Sequence, residues 1–78
     1  MISSVIAKLT RDETKLGTTV QEIENHPHLQ VGELIENRLL PITIEASNRE
    51  ETETTTRWLQ SRSGVEMVDV VFVHFEGE

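Results

Sequence analysis

The stretch Ile2–Glu13, ISSVIAKLTRDE, changes its period half-way along. Ser3, Val5, Ala7 and Leu9 alternate with Ile2, Ser4, Ile6 and Lys8, the period of two that a strand requires. Thr10 then stands three residues before Glu13. That is the spacing of a capping box, in which hydroxyl and carboxylate each accept from an unpaired backbone N–H at a helix start. The spacing predicts a helix whose apolar stripe is Leu16, Val20 and Ile23, slightly weakened by Gly17. Asn25-His26-Pro27-His28 ends it, because Pro27 cannot continue the hydrogen-bond ladder.

The same signals recur in the second half. A strand over Leu29–Ile35 and a short polar turn at Glu36-Asn37-Arg38 lead into LLPITIEA, Leu39–Ala46. This third strand sorts Leu40, Ile42 and Ile44 to one face and Leu39, Pro41, Thr43 and Glu45 to the other. Ser47 precedes Glu50 as Thr10 precedes Glu13, so a second helix is expected. Its acidic start (Glu50, Glu51, Glu53) and basic end (Arg57, Arg62) suit the helix dipole. Its core face is thin, with Trp58 and Leu59 completed by Thr52 and Thr55. Gly64 reads as the left-handed residue that closes it, and Val65 opens the last strand.

Strand, helix, strand, strand, helix, strand is one βαβ unit written twice. With right-handed crossovers it makes an α+β, ferredoxin-like βαββαβ domain, a four-stranded antiparallel sheet with both helices on one face. The last strand supports this, since VEMVDVVFVHFEGE, Val65–Glu78, is apolar on both sides. Simple alternation sends Val68, Val70 and Phe72 to the helices and Met67, Val71, Val73 and Phe75 to the bare face. Ile6, Leu39 and Pro41 join that bare face, interrupted by Ser4, Lys8, Thr43 and Asp69. The expected binding surface is therefore Ser4, Ile6, Lys8, Leu39, Pro41, Thr43, Asp69, Val71, Val73 and Phe75. Pro41 conflicts with this scheme, because an inner strand needs its N–H.

The 78 residues fit a single domain, 1–78, and carry a formal charge of -7. That charge and the scattering of Lys and Arg argue against nucleic acid and anionic membranes and favour a basic partner. No apolar run is long enough to span a bilayer, and the N-terminal stretch lacks the features of a secretory signal. Absence of cysteine removes thiol chemistry and suits a cytoplasmic location. No nucleophile triad, phosphate loop or zinc spacing is present, so no enzyme activity and no cofactor are expected. His26-Pro27-His28 lacks an evident third metal ligand, and His74 reads as a solvated or partner-facing residue. Trp58 reads as the anchor of the second helix.

The chain resembles the NapD family, small cytoplasmic chaperones of the periplasmic nitrate reductase, along nearly its whole length. The likeness rests on Ser4-Val5-Ile6, Pro27-His28-Leu29-Gln30-Val31, Arg38-Leu39-Leu40, Glu45-Ala46, Gly64-Val65 and Val70-Val71-Phe72-Val73-His74. It implies a ferredoxin-like fold that binds the twin-arginine signal peptide of the reductase's catalytic subunit and delays export until the molybdenum cofactor is inserted. The expected state is then a monomer or weak dimer that does not insert into membranes. The alternative is a ferredoxin-like regulatory module that binds a small metabolite or dimerises. A small hydrolase on the same fold would rest on Asn37-Arg38 alone.

Overall fold

The computed structural model describes residues 1–74, with the backbone alone for 72–74. The elements are β1 (Ile2–Leu9), α1 (Glu13–Glu24), β2 (Leu29–Val31), β3 (Leu39–Glu45), α2 (Arg49–Gln60) and β4 (Val65–His74). They form a four-stranded antiparallel sheet in the order β2-β3-β1-β4, the ferredoxin-like arrangement. The core lies on one side of it. Val5, Ala7 and Leu9 of β1 and Leu40, Ile42 and Ile44 of β3 are buried against Ile23 of α1 and Leu59 of α2. The period-two reading of β1 and β3 thus assigns the core face correctly.

Both helices begin one or two residues later than the capping boxes imply. Thr10 is still tied to the sheet, its N–H donating to the Gly64 carbonyl at 2.8 Å, so it cannot turn away into a helix. Asp12 caps α1 instead, its carboxylate accepting from the Thr14 N–H at 3.0 Å and the Thr14 hydroxyl at 2.6 Å. These bonds hold the Asp12 carboxyl below its ordinary pKa. Asn48 rather than Ser47 caps α2, accepting from the Glu51 N–H at 2.8 Å, while the Glu51 carboxylate reaches back to the Ser47 N–H at 3.4 Å. The cap is shifted by one residue, and the returning Glu51 bond goes to the N–H of the residue before it.

The expected second strand shrinks from Leu29–Ile35 to Leu29–Val31, and Pro41 explains why. Gly32 donates to the Pro41 carbonyl at 2.8 Å, so Pro41 presents its backbone to the β2 side. Its missing N–H therefore subtracts nothing from the ladder with β1, where Pro41 stands opposite Ile6. The β2 ladder ends there, and the chain rejoins β3 only at the Ile35–Leu39 bridge. Pro41 sits in an inner strand because its neighbour stops beside it.

Between Ile35 and Leu39 the turn places Glu36 at φ 54° and Asn37 at φ 57°. Asn tolerates that left-handed region, but a Glu there carries a steric cost of about 1 kcal/mol. Gly64 differs from its expected role, because its backbone does not adopt positive φ. The helix before it ends at Ser61 in ordinary right-handed geometry. What needs glycine is space, since a Cβ at 64 would run into the side chain of Thr19, which is fully buried in α1.

β4 departs most from simple alternation. It carries two bulges against β1: Leu9 pairs with Val65 but Lys8 with Met67, and Val5 pairs with Val70 but Ser4 with Phe72. Glu66 and Val71 are the extra residues. Beyond Val71 the pairing is shifted by one residue, so the Phe72 backbone pairs with Ser4 and that of Val73 with Ser3.

Gly64→Ala is expected to destabilise the fold by roughly 1–3 kcal/mol through overpacking against Thr19, read as a lower urea midpoint. In the same assay Glu36→Gly is expected to stabilise by about 0.5 kcal/mol at most, relief of the left-handed Glu being largely offset by a looser unfolded chain.

Candidate functional site

Neither helix covers the second face of the sheet, and the strand register lays its residues out in rows. Pro41, Ile6 and Asp69 lie side by side across β3, β1 and β4, and Leu39, Lys8 and Met67 form the next row. On the other side of Ile6 come Gln30, Thr43 and Ser4, then Glu45 and Ile2. The centre is apolar, with half-buried Ile6, Pro41 and Leu39 beside Met67, which is 48% exposed. Polar groups surround it.

Charge on this face is sparse and mostly unneutralised. Among the described residues neither Lys8 nor Asp69 has an ion pair, while Glu45 accepts from the Gln30 amide at 3.2 Å. At the β4 margin the bulged Glu66 is held by Arg38 at 3.3 Å. An arrangement of this kind suits an amphipathic segment laid across the strands, its apolar body on Ile6, Pro41, Leu39 and Met67 and a cation at the unpaired Asp69.

The expected surface residues separate into three groups. Ser4, Ile6, Lys8, Leu39, Pro41, Thr43 and Asp69 come together on this face, as their parity in the strands requires. Val71 is 62% exposed but occupies the bulge rather than a regular position. The Val73 backbone pairs with Ser3 beyond that bulge, and Phe75 lies outside the described residues. Ile2, 38% exposed, and Gln30 belong to the face and were missed. The parity Ile2 shares with Ile6 was a sufficient signal; Gln30 depended on the register of β2.

A second cluster lies where the end of α1 meets α2. The Arg62 guanidinium packs 4.5 Å from the centre of the Trp58 ring, donates to Glu22 of α1 at 3.0 Å and donates to the Trp58 carbonyl at 3.2 Å. The His26 ring lies 4.6 Å from Trp58 and 5.6 Å from His28, whose Nε2 is 3.5 Å from the Glu51 carboxylate. His26 Nδ1 accepts from the His28 N–H at 3.1 Å, a bond that protonation would break. Partial burial, with the neighbouring His28 second, holds His26 below its ordinary pKa. Trp58 thus ties the two helices together, which extends its expected role as an anchor.

Among the described residues no group of three or more His, Asp or Glu side chains is placed to hold a metal ion, and no helix is long and apolar enough to cross a membrane. Compared with known proteins, the chain matches no family model and no curated protein.

Because His26 binds its proton less readily folded than unfolded, the unfolded chain takes up more protons as pH falls through 6.5. Stability is therefore expected to be full above that pH and to decline below it. NMR titration should find His26 titrating below 6.5, and His26→Gln should flatten the decline.

Proposed function

We propose that this chain is a chaperone of the NapD kind, which binds the twin-arginine signal peptide of a periplasmic nitrate reductase catalytic subunit in the cytoplasm and delays its export until cofactor insertion. The observation that carries the reading is the helix-free sheet face with an apolar centre and an unpaired carboxylate, Asp69, beside it. The formal charge of -7 favours a cationic partner, and the likeness in Ser4-Val5-Ile6, Arg38-Leu39-Leu40 and Val70-Val71 supports the family.

The mechanism is occupancy. The apolar stretch of the signal lies over Ile6 and Pro41, its arginine end meets Asp69, and a signal held in this way cannot engage the translocase. No bond is made or broken, and no residue acts as an acid, base or nucleophile.

Calorimetry with the full chain tests this. A synthetic twin-arginine peptide is expected to bind at micromolar concentration or tighter, and its twin-alanine version at least tenfold more weakly. Ile6→Glu should abolish binding by placing a charge in the apolar centre, whereas Asp69→Asn should weaken it roughly two- to fivefold, as an exposed ion pair would. Equal binding of both peptides overturns the proposal, as does an obligate dimer in sedimentation that excludes the peptide.

A further inference from the structure

We infer that the helix side of the sheet holds a second site, for a free α-amino acid with an apolar side chain, independent of the peptide surface. A cavity of about 330 Å³ opens between α2 and the β1–β4 pair. Its volume falls at the small end of ligand sites. Val5 and Val70 form apolar walls, and Thr52 and Thr56 line it from the helix.

Ser3 marks this space as more than a packing gap. It forms part of the wall, is only 1% exposed, and its hydroxyl has no hydrogen-bond partner among the described residues. A buried hydroxyl without a partner is unfavourable, and a polar ligand atom in the cavity would relieve it. By contrast, the threonine hydroxyls are engaged, Thr52 on the Asn48 carbonyl at 3.1 Å and Thr56 on the Thr52 carbonyl at 2.8 Å.

The mouth selects the ligand class. Glu53 and Arg57, one turn apart on α2, both border the cavity. At that spacing a Glu and an Arg often pair with each other. Among the described residues they do not, and there the Arg57 guanidinium reaches only the Thr54 hydroxyl, at 3.5 Å. One anionic and one cationic group bordering an apolar chamber match the ammonium and carboxylate of an amino acid, the carboxylate shared between Arg57 and the Ser3 hydroxyl, which would donate to it, and the side chain lying between Val5 and Val70. A simple amine or a simple acid would use only half of the mouth. Val70 is 56% exposed although it stands on the helix-side register opposite Val5, which leaves the entrance open.

The test is titration of the full, isotopically labelled chain with L-leucine, L-phenylalanine, 2-phenylethylamine and 3-phenylpropanoate. The amino acids are expected to shift the amide signals of Ser3, Val5, Thr52, Thr56 and Val70, with the amine and the acid at least tenfold weaker. Glu53→Gln and Arg57→Gln should each remove the preference for the zwitterion, and Ser3→Ala should weaken binding roughly five- to tenfold, about one hydrogen bond. Val70→Glu, at an exposed position that leaves the fold intact, should block entry. Equal binding of all four compounds, shifts confined to the Ile6 and Pro41 face, or no shift at millimolar concentration each overturns the inference. Failure of the signal peptide to bind would not affect it.

Discussion

Everything in this fold depends on burying one face of β1 and leaving the other bare. Ser3, Val5, Ala7 and Leu9 are withdrawn from water while Ser4, Ile6 and Lys8 remain partly exposed. As the strand that pairs with both β3 and β4, β1 passes this asymmetry to its neighbours through register, because residues opposite one another share a face. Two helices of twelve residues each can cover one side of such a sheet. The bare side thus follows from the alternation in β1, and it is where an extended or helical segment from another protein would find an apolar surface.

The covered side is held by small and hydroxylated groups more than by large ones. Thr19 and Thr55 are the buried partners of Ile23 and Leu59 on their helices, and Gly64 lies against Thr19 with no room for a methyl group. Compact residues let α1 approach the sheet closely, but they fill less volume than leucines would. Towards β4, Thr52 and Thr56 meet Ser3 and Val5 across a space that no side chain of the described residues fills. At the other end of α2 Trp58 is in contact with both the Arg62 guanidinium and the His26 ring. The second helix is well anchored at its C-terminal end and loosely packed along its first turns.

The two faces therefore offer different chemistry. The bare face is broad, weakly charged and apolar in its middle, which suits a polypeptide whose contacts are many and individually weak. The cavity is small and bordered by opposite charges, which suits a compact ligand with both. They share β1 and β4, separated by the thickness of a single sheet. The bulge at Val71 lies beside both, where the pairing of β4 with β1 shifts by one residue.

The sequence by itself determined the order of the elements, the core face of β1 and β3, and the bare face through Ser4, Ile6, Lys8, Leu39, Pro41 and Thr43. Those features follow from local periodicity and need no knowledge of partners. It placed the helix caps a residue or two early, because hydroxyl and acid residues crowd both starts and only the hydrogen bond from Thr10 to Gly64 decides where the strand releases the chain. The phase of β4 was beyond its reach. A run of apolar residues on both sides carries no mark of where an extra residue is inserted, and the bulges at Glu66 and Val71 are settled by pairing with β1. Likewise the role of Gly64, the shortening of β2 beside Pro41 and the cavity beneath Ser3 arise from how close separate elements come. Distance between elements is a property of the packed chain, which tertiary structure alone decided.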